Sequence, residues 1–240
     1  MSDYLSFLNS ELNKIGIDLP ESILQKLIEY IDILLRVNKV INLTAITDIH
    51  EALIKHIYDS LVVLNFPEYT KAESILDIGS GAGIPGIPLA ISSPEKKFIS
   101  LDATQKKIKF QEDVCNSLLL NNLQPIWSRA EDYIKQNGVR ENFDLILSRA
   151  VAPINTLAEL TIPYCKIKGR AIFYKGKDYQ DELNEGEKAI FILGGKVERV
   201  KLFDLPKDYG TRALISIIKE KSTSNQYPRK AGTPSKNPLK

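Results

Sequence analysis

The sequence predicts an α/β protein: a doubly wound, seven-stranded, mostly parallel sheet behind an N-terminal helical extension. Three observations lead there. From Ser74 onward, short β-rich runs alternate with amphipathic helical runs, the pattern of right-handed βαβ units with helices on both faces of a parallel sheet. The first of these strands, 75–78, runs into Gly79, Gly81, Gly83 and Gly86, so the chain turns on bare backbone where such a sheet binds its ligand. The last two strands, 196–203 and 212–219, are joined by the turn 206–210, which makes them antiparallel and the last one reversed.

Each element follows from its local pattern. Apolar residues at helical spacing give helices over 3–15 and 21–36, with Pro20 at the boundary. A third helix starts at Asp48, where Asp48 and Glu51 fit a capping box, and ends before Pro67. Strands follow at 75–78, 97–102, 124–128, 143–148, 169–175, 196–203 and 212–219. The helices between them fall at 86–93, 104–120, 130–137, 155–165 and 179–193. Three regions result: a helical cap over 1–70, a ligand-binding domain over 71–220, and a basic, proline-containing tail over 221–240. That tail, KSTSNQYPRKAGTPSKNPLK, carries Lys221, Arg229, Lys230, Lys236 and Lys240 and no acid. It is expected to be irregular and to order on a partner.

Composition removes several classes. No apolar run approaches the roughly 20 residues of a membrane span. The N-terminus has acids among its apolar residues and no basic region before them, so no secretory signal is expected. Cys115 and Cys165 form no CxxC, and His50 and His56 have no metal-ligand company, so neither a disulfide framework nor a metal site is expected. A cytoplasmic monomer is the expectation. The net charge of +2 permits a nucleic-acid partner without requiring one.

The glycine loop, ILDIGSGAGIPGIPLA, offers two ligands. From Gly81 it spells GxGxxG, the dinucleotide fingerprint of a nicotinamide dehydrogenase, with a pyrophosphate on the helix N-terminus. From Asp77 it spells DxGxGxG, and a carboxylate there repels an anion. S-adenosylmethionine brings an ammonium and a sulfonium instead, so Asp77 favours it. Pro85 and Pro88 also remove N–H groups that a phosphate would use. Asp102, ending the second strand, suits a ribose diol in either ligand. The competing role is a cap for the next helix, a position for which Thr104 also competes. Residues 128–132, SRAED, would lie beside the adenine, although acids also suit a first helical turn on electrostatic grounds alone.

These residues resemble motif I of class I methyltransferases. The GIPGIPL ending, with NKVINLTAI (38–46), KHIYDSLVV (55–63), SRAVAP (148–153), FYKG (173–176) and YPRKAGTPSKNPL (227–239), resembles the bacterial ribosomal RNA small subunit methyltransferase G family. The resemblance spans nearly the whole chain. It implies a Rossmann-like class I fold and methyl transfer from S-adenosylmethionine to N7 of a guanosine in 16S rRNA or the small ribosomal subunit. It also implies cofactor contacts from Gly79, Ile84, Ala130, Glu131 and Arg149, joining Asp77, Gly81, Gly83 and Asp102 of the loop and second strand. Asn42, His56, Asp59, Arg149 and Lys175 would line the rim of the site.

The chemistry agrees. Guanine N7 attacks with an in-plane lone pair, so orientation and electrostatics suffice without a general base. Arg149 and His56 are the candidate catalytic residues. Arg149 would hold a phosphate, guanine O6 or the cofactor carboxylate, and His56 is equally a core histidine oriented by Asp59. Asn42, Lys175, Arg229 and Lys230 are the candidate RNA contacts, with Arg36, Lys39 and Lys177 around them. Two further readings stay open: an S-adenosylmethionine-dependent small-molecule methyltransferase, and a non-catalytic ribosome assembly factor with a vestigial pocket.

Overall fold

In the computed structural model, which describes residues 2–149 and 151–240, the chain begins with helices α1 (Ser2–Asn13) and α2 (Glu21–Ile41). Leu24, Leu27, Ile28, Ile31 and Leu34 recur at helical spacing in α2 and are all buried, so one face is committed to the core. The helix passes its expected end at residue 36: Asn38 is buried and Val37 and Ile41 still pack against the core, while Val40 is 81% exposed. It closes on Asn42, left-handed at φ 49°, whose N–H reaches Asn38 O.

The single helix expected from Asp48 is composite. It comprises α3 (Ile49–Ala52), a π-helical turn (Leu53–Tyr58), α4 (Asp59–Leu61) and a 3₁₀ turn (Val62–Asn65). Only half of the capping box forms. Asp48 Oδ1 accepts the Glu51 N–H at 2.8 Å, while the Glu51 carboxylate pairs with Lys55 Nζ at 2.6 Å.

Helix α5 (Pro67–Lys71) leads into the sheet. There follow β1 (Ser74–Ile78), α6 (Gly86–Ser92), β2 (Lys97–Asp102), α7 (Gln105–Leu118), β3 (Leu123–Trp127) and α8 (Ala130–Tyr133). Then come β4 (Phe143–Arg149), α9 (Ile154–Thr161), β5 (Cys165–Gly176), α10 (Tyr179–Ile192), β6 (Gly195–Asp204), β7 (Thr211–Lys219) and α11 (Thr233–Lys236). The strand order is β3-β2-β1-β4-β5-β7-β6. Every pair is parallel except β5–β7 and β6–β7, so β7 is the reversed strand, as expected. The order reverses direction between β1 and β4, which opens a crevice at their carboxyl ends.

Other boundaries differ from expectation too; α9, for one, ends at Thr161 rather than at 165. Strand β5 starts at Cys165 because a bulge lies between the pairs Phe143↔Cys165 and Leu145↔Arg170. Gly169 permits it, since an added Cβ would lie 2.9 Å from the carbonyl oxygens of Asp144 and Lys166. Helix α8 spans only Ala130–Tyr133 rather than reaching residue 137.

One face of the sheet is covered by the N-terminal helices with α6 and α7, whose apolar residues form one core with Ile75, Leu145 and Leu214. The other face carries α8, α9 and α10. The tail lies along this second face; apart from α11 it is irregular, as expected, but it is held by the chain's own residues rather than by a partner. Arg229 places Nη2 2.6 Å from Glu159 Oε2 and Nε 2.9 Å from Oε1, and Thr156 Oγ1 donates to Pro234 O at 3.2 Å. Tyr227 and Leu239 pack against the core beneath. Composition missed this because the counter-charge, fully buried Glu159, lies on a distant helix. Among the described residues, no helix is long and apolar enough to cross a membrane.

Candidate active site

The crevice is floored by Asp77, the fourth residue of β1, which is 1% exposed. Its Oδ2 accepts the Gly86 N–H at 2.9 Å, while Oδ1 is buried without a hydrogen-bond partner. Burial pushes the carboxyl up to about 7, against the opposing pull of the Gly86 N–H and the nearby Arg149 guanidinium. An unpartnered buried carboxylate oxygen is costly unless a ligand supplies a donor, and an ammonium is the donor that suits it.

The glycine loop wraps this carboxylate. Gly81 (φ 58°) has open space where a side chain would project, so a ligand can lie on its backbone. Gly83 (φ 89°) leaves no room, because a Cβ would fall 2.3 Å from Ile87 Cδ1. Val151 lies over Gly79, its Cγ2 2.3 Å from where a Cβ would be. Ile84 is 7% exposed and donates its N–H to Ser80 O at 2.9 Å. Asp102 Oδ2 accepts the Gly81 N–H at 2.9 Å and Oδ1 accepts the Thr104 N–H at 2.8 Å. It therefore braces the loop and makes the turn into α7, with lone pairs left for hydroxyl donors. Thr104 caps nothing with its side chain.

Two residues that the sequence did not single out hold the loop. Gln111 of α7 is fully buried; its Nε2 donates to Ser80 Oγ and Gly81 O, both at 2.8 Å. Tyr30 of α2 donates its hydroxyl to Ala82 O at 2.9 Å, which ties the helical extension to the site. Their only signal in the sequence is a polar atom on an otherwise core-facing stripe.

Across the crevice, Arg149 ends β4 and enters a socket made by the π-helical turn. The Asp59 N–H bonds to Ile54 O, five residues back, and so does not engage Lys55 O, which an α-helix would offer it. Arg149 Nη1 takes Lys55 O at 2.6 Å and Asp59 Oδ2 at 2.8 Å; Nη2 lies 3.1 Å from His56 Nδ1. Arg212 Nε also reaches Asp59 Oδ2, at 3.4 Å. Asp59 thus holds the two arginines rather than orienting the imidazole. A guanidinium has five N–H donors, and these bonds engage three of Arg149's. His56 is 5% exposed, and burial together with Arg149 pushes its pKa down to about 3.

The remaining predicted residues divide. Ala130 and Glu131 open α8 beside the carboxyl ends of β2 and β3, and Glu131 Oε1 is taken by the Gly232 N–H of the tail at 2.8 Å. Lys175 donates to Ala152 O at 2.7 Å and Glu182 Oε2 at 2.6 Å, and its side chain is 9% exposed, so it braces the loop after β4. Arg229 is committed to Glu159. Asn42 and Lys230 are exposed. Ala150, within the stretch SRAVAP, lies outside the described residues.

The Asp77 oxygen and the two Arg149 N–H groups that have no partner among the described residues, with the open backbone at Gly81, fit an amino-acid zwitterion joined to a nucleoside. Sheet order, loop and charges together define a class I S-adenosylmethionine-dependent methyltransferase.

The family model for rRNA small subunit methyltransferase G matches residues 23–210, and the chain belongs to that family. It is 41% identical to the ribosomal RNA small subunit methyltransferase G of Clostridium tetani, over 99% of each chain. It is 42% identical to that of Clostridium kluyveri over 99% of this chain and all of the relative. For the Lactobacillus johnsonii protein of the same name the figure is 42%, over 95% of this chain and 97% of the relative. Among solved structures, M. jannaschii TYW2 in complex with AdoMet superposes with a TM-score of 0.50 at 17% identity, covering 61% of this chain and 69% of that one. This likeness shows the shared fold.

Proposed function

We propose that this chain methylates N7 of a guanosine in 16S rRNA of the small ribosomal subunit, in the cytoplasm where ribosomes assemble. The observation that carries the reading is that Asp77 and Arg149 face one crevice while both ring nitrogens of His56 beside them are engaged. A site built this way orients its substrates and holds charge; it does not aim a proton acceptor at the reacting atom. Guanine N7 needs none.

S-adenosylmethionine, when bound, supplies an electrophilic methyl group on sulfur. Asp77 Oδ1 would hold its ammonium and the free N–H groups of Arg149 its carboxylate. Asp102 would hold the ribose hydroxyls, and Ala130 and Glu131 would border the base. Asn42, Arg36, Lys39 and Lys230, all exposed, would meet RNA phosphates.

The test is transfer of tritiated methyl from S-adenosylmethionine to naked 16S rRNA and to small subunits, both from a strain lacking the gene. Borohydride reduction and aniline scission then map N7-methylguanosine. Label at one guanosine of 16S rRNA supports the reading. Label on another atom or another RNA overturns it. RNA binding without transfer supports the assembly-factor reading, and label only in small molecules supports the small-molecule one.

A further inference from the structure

Arg149 can present its free N–H groups to a ligand only if its three engaged bonds stay in place. Two of these acceptors, Lys55 O and Asp59 Oδ2, are oxygens whose acceptance does not depend on a tautomer. The third, His56 Nδ1, accepts only in one tautomer. Arginine has donors and no acceptor, so the 3.1 Å contact requires a bare Nδ1, with the ring proton on Nε2. That proton needs a partner, since the ring is buried.

The partner is Thr44 Oγ1, 2.9 Å from Nε2. Thr44 is held from three directions. Asn38 Oδ1, at the end of α2, accepts the N–H groups of Leu43 and Thr44 at 2.6 and 2.8 Å, and Asn38 Nδ2 returns a bond to Thr44 O at 2.8 Å. The Ile46 N–H donates to Thr44 Oγ1 at 3.1 Å. With that N–H on one lone pair and His56 Nε2–H on the other, the hydroxyl oxygen is filled as an acceptor.

We infer that Thr44 is a positioning residue for the methyltransferase reaction: by accepting the His56 Nε2 proton it selects the tautomer that holds Arg149, and so aims the arginine at the cofactor carboxylate. The inference rests on the reading of Arg149 as the carboxylate anchor. Without the Thr44 acceptor, the alternative tautomer turns an N–H toward the guanidinium and breaks the contact. Thr44 also lines a surface groove of about 690 Å³ with Arg36, Lys39 and Asn42. The segment that would meet RNA is therefore the one that fixes the arginine.

The experiment uses the full chain labelled with ¹⁵N-histidine, which carries only His50 and His56; His50→Gln assigns the two. In wild type, His56 should show a bare Nδ1 and a protonated Nε2 without any ligand. S-adenosylhomocysteine is then titrated calorimetrically into wild type, Thr44→Val and Thr44→Ser. Losing a bond that supports a charged group should weaken binding by about tenfold or more in Thr44→Val and mix the tautomers. Thr44→Ser should restore both. A wild-type His56 protonated at Nδ1 overturns the inference, even where Thr44→Val fails to fold. So does a folded Thr44→Val that keeps wild-type affinity and tautomer. A wild type that shows the Nε2–H tautomer but binds no S-adenosylhomocysteine overturns the cofactor reading instead, and with it the step from Arg149 to the carboxylate.

Discussion

Asp77 Oδ2 accepts the Gly86 N–H at 2.9 Å, and among the described residues this is the one hydrogen bond made to a carboxylate otherwise sealed from water. Burial holds its pKa near 7, so at neutral pH the ligand-free carboxyl is half protonated. An ammonium beside Oδ1 lowers that pKa, so binding at pH 7 should release a fraction of a proton, and affinity should fall as pH drops below 7. Calorimetry of S-adenosylhomocysteine in buffers of different ionisation enthalpy measures the release; Asp77→Asn should abolish it and weaken binding by about tenfold or more. The folded pKa lies above the unfolded 3.8, so the stability tied to protonated Asp77 is complete below about 4 and lost as pH rises through 7. Ligand-free Asp77→Asn should accordingly melt higher than wild type at pH 8.

His56 works in the opposite direction. Its folded pKa of about 3 lies below the unfolded 6.5, so between these values the unfolded chain takes a proton that the folded chain refuses. Its stability contribution is complete above pH 6.5 and is lost as pH falls toward 3. Two pH units below 6.5 the loss is about 2–3 kcal/mol. Urea unfolding at pH 7 and 4.5 should show that drop in wild type and a smaller one in His56→Gln; equal drops would remove His56 from the account.

Two glycines should fail in different ways. Gly83→Ala forces a methyl onto Ile87 as well as a strained φ, and should destabilise the fold by more than the roughly 1–2 kcal/mol of left-handed strain. Gly81→Ala carries similar backbone strain but projects into open space. Its melting temperature should fall less while cofactor affinity falls more. Thermal melts paired with ligand titration separate the two.

The tail offers a contrast between neighbouring cations. Arg229→Met leaves the fully buried Glu159 carboxylate with the residue 229 backbone N–H but no counter-charge and should cost about 3 kcal/mol. Lys230→Ala should leave the melting temperature unchanged and lower the log–log salt slope of rRNA binding by about one. Filter binding at several salt concentrations reads the second effect; a reversal of the two phenotypes would exchange their assignments.

The fold was legible because alternation of strand and helix patterns survives in a single chain, and the strand positions were fixed to within a few residues by apolar runs such as 97–102. Asp77 and its glycines were legible because spacing along the chain coincides with proximity in space. Thr44, Gln111 and Glu159 were not. Each acts on a partner at least 12 residues away, and nothing in the one-dimensional order marks which polar residues will meet. Lys175 and Arg229 look like free cations in the sequence for the same reason, since their carboxylates come from other elements.

The π-helical turn over Leu53–Tyr58 amounts to one more residue than a regular helix would need for the same rotation. That surplus residue displaces the hydrogen-bond ladder by one position and turns Lys55 O, His56 and Asp59 toward Arg149 together. Deleting a single residue there would restore a regular helix without disturbing the glycine loop's own sequence. It would swing the three acceptors out of line and leave an arginine with no socket, so this stretch should tolerate substitution on its outer face far better than any change in length.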